Sequence, residues 1–176
     1  ERIEAAIPAT VAHESGLLRA STEASAQPDV WGSAFAIYEG LLPAPIADGV
    51  VAALHRALAA GTIAWRGNVR HVPTDADYDA MTAWERVVDG RPKNRYQNGA
   101  YWATPTGWFV YTLDRVDPDL ADRTVIEMVN DFKASGACEW VFGSTRQLPN
   151  YLASAALPLA GIRATIERRT NENRDD

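Results

Sequence analysis

Hydrophobic residues recur at helical spacing in five stretches of the chain, and each stretch has a recognisable start or stop. The first stretch follows Asp29, which is a good N-cap residue, and the second places apolar residues four apart from Ile46 to Leu58 and stops at Gly61. Three more helices are predicted from Thr104-Pro105 to Val116, from Asp117-Pro118 to Gly136 and from Pro149 to Ile166. Very short turns near 43–45 and 117–118 join helices in pairs, so the pattern predicts helical hairpins.

Two long connections interrupt the helical pattern. Residues 62–103 contain Ile63, Trp65 and Val69, which indicate short extended segments in a longer loop, and residues 137–148 form a second irregular stretch. The predicted fold class is therefore all-α. If the hairpins all run the same way, the long connections lie together at one end of the molecule, where the helices that begin near Asp29, Thr104 and Pro149 start.

Small residues are concentrated in the last predicted helix. They favour close contact with a neighbouring helix, and they are Ala153, Ser154, Ala155, Ala156, Ala160 and Gly161. Beyond them the chain becomes strongly charged, and we expect residues 167–176 to form a solvated tail.

Composition narrows the possible functions. The chain has 176 residues, a length that suits one folded unit. Its net charge of -6 disfavours a nucleic-acid partner, since phosphate binding needs a basic surface. No apolar stretch approaches the roughly 20 residues of a membrane span. The single cysteine, Cys138, excludes an intrachain disulfide, and the three histidines lie too far apart to predict a metal site. We expect no cofactor and no membrane partner, and a cytoplasmic location.

Tryptophan and tyrosine are in excess among the aromatic residues. Six of each stand against four phenylalanines, and many fall in the long connections. The stretch 95–108 holds Tyr96, Trp102 and Trp108, whose rings can stack on a sugar, while Gln97, Asn98 and Thr104 can bind its hydroxyl groups. The alternative is that Trp102 and Trp108 only attach the loop to the start of a helix.

Glu139 lies between Cys138 and Trp140 in an apolar run, just after a helix that ends at glycine. Apolar surroundings favour proton uptake by a carboxylate, which suits it to proton transfer near neutral pH. The alternative is an ordinary exposed glutamate. In the first long connection Arg70 and His71 are neighbours, and they are candidates for contact with a substrate or for a structural role.

Three blocks of sequence resemble the six-hairpin (α/α)6-barrel glycosidases, nearest to glycoside hydrolase family 63 and the glycogen-debranching-type glucosidases. The blocks are 29–42, then 96–102 with 105–108, and then 138–140 with 148–157. Their order is similar to the C-terminal half of such an enzyme. The resemblance implies that the hairpins form about half of an (α/α)6 toroid and that the whole chain, 1–176, is the C-terminal portion of one glycosidase domain.

The resemblance also implies roles for individual residues. Glu139 would be the general base of a hydrolysis that inverts the anomeric centre, and a missing N-terminal half, in the same gene product or another chain, would supply the general acid. Substrate contacts are then expected from Trp31, Arg70, His71, Tyr96, Gln97, Asn98, Trp102, Thr104, Trp108, Trp140 and Asn150. The expected substrate is a small saccharide or α-glucoside. A sugar epimerase, lyase or phosphorylase on the same fold stays open, as does a non-catalytic sugar-binding or structural module.

Overall fold

The computed structural model describes residues 6–7, 11–20, 27–73 and 93–175. Its principal helices are α1 (Val30–Tyr38), α2 (Ala44–Ala59), α3 (Thr106–Leu113), α4 (Pro118–Ser135) and α5 (Leu152–Asp175). Its strands are β1 (Leu18–Arg19), β2 (Pro28–Asp29), β3 (Ala64–Trp65), β4 (Asn68–Arg70), β5 (Tyr101–Trp102), β6 (Trp140–Phe142) and β7 (Thr145–Gln147).

The prediction of an all-α fold, and with it the simple toroid of helical hairpins, is wrong. The strands β3 to β7 form one antiparallel sheet in chain order, and β1 pairs with β2. The sheet combines both long connections, because β5 pairs with β4 through Val69 and Trp102 and with β6 through Tyr101 and Val141. Trp65 and Val69 are extended as predicted. Residues 74–92 of the first connection lie outside the described residues.

The β3–β4 hairpin docks on α4. Its two-residue turn consists of Arg66 and Gly67, whose φ angles of 51° and 72° are those of a turn that matches strand twist. A Cβ atom at Gly67 would lie 2.3 Å from the backbone nitrogen of Met128, so only glycine allows this approach. The buried carboxylate of Asp131 on α4 accepts a hydrogen bond from Asn68 at 3.1 Å, which fixes the hairpin further.

Two arginines complete this junction between the sheet and α4. The guanidinium groups of Arg66 and Arg146 lie 3.7 and 3.6 Å from Oδ1 of Asp131. Both also lie over the ring of Trp65, at 4.6 and 5.2 Å from its centroid. The sheet is thereby held on the helices by charge, cation–π contact and backbone packing together.

The hydrophobic core lies between α1, α2 and α3, and α3 contacts each of the other four principal helices. Its fully buried side chains include Val30, Leu54, Val69 and Phe109. Helix starts follow the predicted caps: Asp29 accepts a hydrogen bond from Gly32 N at 2.8 Å, and Asp117 accepts one from Leu120 N at 3.0 Å. The predicted starts of α1 and α4 are therefore confirmed.

Helix α5 crosses α3 at very short distance. A Cβ atom at Gly161 would lie 2.3 Å from the carbonyl carbon of Gly107, and one at Gly107 would lie 2.6 Å from the carbonyl oxygen of Pro158. Ser154 and Thr165 are buried along the same side of α5. The prediction of close helix contact is confirmed at Gly161.

The charged end of the chain is helical to Asp175 and is anchored on α3. Arg168 donates a hydrogen bond to Oδ2 of Asp114 at 2.8 Å, and Arg169 donates to Oδ1 of the same carboxylate. Burial of Asp114 raises its pKa, but the hydrogen bonds and charges of Arg169 and Arg168 outweigh burial and hold the pKa below its usual value of 3.8.

This ion pair predicts a pH-dependent stability. Because the pKa of Asp114 is lower in the folded chain, its contribution is complete above about pH 4, the range of an unfolded aspartate, and is lost as the pH falls through the folded pKa. We expect Asp114→Asn to be less stable than the parent chain at pH 7 and to lose less stability on acidification. Urea unfolding midpoints at pH 7, 5 and 3 measure how strongly the stability of each chain falls with pH. The same pH dependence in both chains would contradict the assigned role of Asp114.

Candidate functional site

The starts of α1, α3 and α5 lie together around the ring of Trp102. Its centroid lies 5.5 Å from that of Trp31 at the start of α1, 5.1 Å from Tyr96, and 6.5 Å from Tyr151, which immediately precedes α5. These rings, together with Trp140 and Phe142 of β6, form one packed group, which we call the aromatic cluster. The gathering of these three helix starts agrees with the expectation from the sequence.

The members of the aromatic cluster differ in exposure. Trp102 and Trp140 are only 4% and 9% exposed, so their rings support the cluster from within. Trp31, Tyr96 and Tyr151 are half-buried. The indole N–H of Trp31 donates to Val69 O at 3.1 Å, and that of Trp102 donates to Tyr96 O at 3.3 Å. The half-buried members of the cluster, which form its surface, are therefore Trp31, Tyr96, Phe142 and Tyr151.

A carboxylate and an imidazole border the cluster. Oδ1 of Asp29 lies 3.3 Å from Nε2 of His71, and the His71 ring lies 4.8 Å from the ring of Trp31. The His71 carbonyl also accepts a hydrogen bond from Val30 N at 2.9 Å, which ties the end of β4 to the start of α1. Asp29 is thus both the N-cap of α1 and the partner of His71. The sequence indicated only the capping role, because the two residues are far apart in the chain.

Glu139 is half-buried directly before β6, next in the chain to Trp140 of the aromatic cluster. Its backbone N–H donates to Gln147 O at 2.8 Å and to Leu148 O at 3.2 Å, and Tyr151 N donates to Ala137 O at 2.7 Å. Glu139 precedes Trp140 in the chain, and these bonds hold its backbone near the start of α5. The backbone of Glu139 is therefore fixed by its hydrogen bonds to Gln147 and Leu148.

Arg70 and Asn98 have internal positions. The Arg70 side chain is buried and donates to Gly99 O at 2.8 Å, to Thr62 O at 3.2 Å and to Oδ1 of Asn94 at 2.9 Å. Asn98 is fully buried, and Gln97 beside it is half-buried. Arg70 therefore holds the turn that carries Tyr96, a residue with a left-handed φ of 49°.

Three further residues predicted to contact substrate lie in different parts of the structure. Thr104 Oγ1 lies 3.4 Å from Ser154 Oγ and so couples the segment before α3 to α5. Asn150, exposed and left-handed with a φ of 72°, precedes Tyr151. The Trp108 ring packs 4.9 Å from Phe35 in the helical layer, so it is not part of the aromatic cluster.

Two aromatic members of the cluster, Tyr151 and Phe142, are missing from the contacts predicted from the sequence. Tyr151 was assigned to the body of the last helix, although Pro149 and Asn150 before it are signals of a helix boundary. Because α5 begins at Leu152, the ring of Tyr151 lies at the helix start and reaches Trp102.

The described part of the chain holds no cluster of three or more histidine, cysteine, aspartate and glutamate side chains arranged for a metal ion. In that part, no helix combines the length and apolar character needed to cross a membrane. Comparison with models of protein families, with curated proteins and with solved structures finds no match to this chain.

Proposed function

We propose that this chain is the base-carrying part of a glycoside hydrolase that acts on a small saccharide such as an α-glucoside. The observation that carries the proposal is the aromatic cluster, to which Trp140, the neighbour of Glu139 in the chain, belongs. Half-buried tyrosine and tryptophan rings beside fixed polar groups are the usual components of a sugar site, since the rings cover apolar ring carbons and the polar groups bind hydroxyls. The resemblance of the three sequence blocks supports the same function.

The residues of the aromatic cluster and Arg70 have different roles in this proposal. Trp31, Tyr96 and Tyr151 stack against the sugar, and Trp102 and Trp140 support those rings from within. Arg70 positions the turn of Tyr96 and does not itself contact substrate, because its guanidinium group already donates to Gly99 O, Thr62 O and the Asn94 side chain. This assignment limits the predicted stacking contacts to the half-buried rings of the aromatic cluster.

Glu139 acts as the general base. Its carboxylate takes a proton from water as the water oxygen attacks the anomeric carbon, and the bond to the leaving group breaks on the opposite face. An inverting pair needs a second carboxyl group about 6.5–9.5 Å from the first, which leaves room for the water. We assign this general acid to a part of the enzyme outside these 176 residues or to another chain.

An apolar stripe on α5 supports the existence of such a partner. Leu152, Leu159 and Ile166 are 78%, 55% and 57% exposed, and they lie on the side of the helix opposite Gly161 and Thr165, which are buried. A helix that is apolar on both sides is normally covered on both. The stripe begins at Leu152, next in the chain to Tyr151 of the aromatic cluster.

The proposal predicts that Tyr96→Ala weakens saccharide binding about tenfold, the equivalent of one lost stacking contact. Calorimetric titration with methyl α-D-glucopyranoside and with maltose measures the affinity of the full chain. Tyr38→Ala is the matched control, because the Tyr38 ring packs 5.2 Å from Tyr111 at the far end of α1.

Equal weakening by the two substitutions, or no saccharide binding by the parent chain, would refute the sugar site. Binding without hydrolysis of any glycoside would instead favour a non-catalytic sugar-binding module.

A further inference from the structure

Gln27 is a buried residue whose side-chain amide has no hydrogen-bond partner among the residues that the structure describes. The residue is 3% exposed, and within the described ranges nothing hydrogen-bonds to its Nε2 or Oε1 atom. Such a group costs folding free energy, because an amide loses its hydrogen bonds to water on burial. By contrast Asn68, another buried amide, donates to Arg66 O and to Asp131 at 3.1 Å each. Gln27 therefore calls for an explanation.

The side chain of Gln27 lies on the same side of the chain as that of Asp29. Gln27 O accepts a hydrogen bond from Ala20 N at 2.9 Å, which extends the β1–β2 ladder by one residue pair. Side chains two residues apart in an extended segment point to the same face, with Cα atoms about 7 Å apart. The amide is thus directed along the face that carries Asp29, which in turn contacts His71.

These three side chains match the chemistry of sugar hydroxyls. Each hydroxyl group both donates and accepts, and the set offers a carboxylate acceptor, an imidazole and an amide that does both. The carboxylate of Asp29 lies at the start of α1, where the helix dipole favours negative charge, and it would repel an anionic sugar.

We propose that Gln27, with Asp29 and His71, binds adjacent hydroxyl groups of a neutral sugar at the start of α1. The inference rests on the proposed function and extends the site from the aromatic cluster to its polar border. The free-energy cost of burying an amide that has no partner in the described part of the chain is recovered when the sugar supplies its partners.

The test is Gln27→Met, which keeps the shape of the side chain and removes the amide, with Gln27→Leu as a second variant. In the full chain both should keep or raise Tm, by up to a few degrees, because an unpaired polar group is removed. Both should weaken binding of methyl α-D-glucopyranoside at least tenfold. Methyl α-D-glucuronide should bind the parent chain at least tenfold more weakly than the neutral glucoside.

Asn68→Leu is the control: it removes a paired amide and should lower Tm without changing sugar affinity. If both Gln27 variants bind the glucoside as the parent chain does, the inference is overturned and the proposed function stands. If the glucuronide binds as tightly as the glucoside, the assignment to a neutral sugar is overturned. If the parent chain binds neither sugar, the inference and the proposed function fall together.

Discussion

Gly161→Ala is expected to lower the free energy of unfolding by about 3 kcal/mol or more, because the added methyl group has no space between α5 and α3. The new Cβ atom would lie 2.3 Å from the carbonyl carbon and 2.4 Å from the carbonyl oxygen of Gly107. Those atoms belong to the backbone of a helix that contacts the four other principal helices, so they cannot move without disturbing the whole core.

Gly49→Ala is the matched control for this substitution. Gly49 also lies inside a helix, α2, but among the described residues no atom beyond its chain neighbours and the backbone of its own helix lies within 4 Å of a Cβ atom built there. The intrinsic preference of helices for alanine should then raise stability by about 0.5–1 kcal/mol. Urea unfolding of the two variants beside the parent chain measures both effects, and a Gly161→Ala chain as stable as the parent would disprove the close helix contact.

The helices could be predicted because their signals are local. The caps Asp29 and Asp117 and the spacing from Ile46 to Leu58 depend on residues within one or two turns of each other. Even the close approach at Gly161 was indicated by its small neighbours. The predicted pairing of helices into hairpins with short turns survives in the structure, whereas the all-α fold does not.

The sheet could not be predicted because its strands have two or three residues, and because β5, which joins the β3–β4 and β6–β7 hairpins, has partners far away in the chain. A strand of two residues, such as Tyr101–Trp102, is too short for an alternating pattern, and its neighbours are Val69 and Val141. The pairing of Asp29 with His71 was missed for the same reason.

The site was predictable in its location more than in its contacts. The aromatic-rich connections indicated where Trp31, Tyr96, Trp102 and Trp140 would meet, and they do meet. The sequence did not distinguish the half-buried rings from the buried ones or place Trp108 in the helical layer. Exposure depends on how the sheet packs on the helices, and the pattern of single residues carries no information on that packing.

Glu139→Gln should lower the rate of glycoside hydrolysis about 10²- to 10⁴-fold, because glutamine keeps the shape of the side chain but cannot take a proton from water. The most suitable substrate is α-D-glucosyl fluoride. Water adds to the anomeric carbon and gives its proton to Glu139, while the carbon–fluorine bond breaks and fluoride leaves without protonation. Hydrolysis of this substrate therefore depends on the base and does not need the general acid from outside the chain.

The measurement is the rate of fluoride release from α-D-glucosyl fluoride by the parent chain, by Glu139→Gln and by Glu167→Gln, whose carboxylate is exposed on α5 and far along the helix from the cluster. The proposed function predicts release by the parent chain and by Glu167→Gln. It predicts a loss of at least about 100-fold in Glu139→Gln, with unchanged affinity for methyl α-D-glucopyranoside. Equal rates for all three chains, or no release by the parent chain, would contradict Glu139 as the base of a glycoside hydrolase.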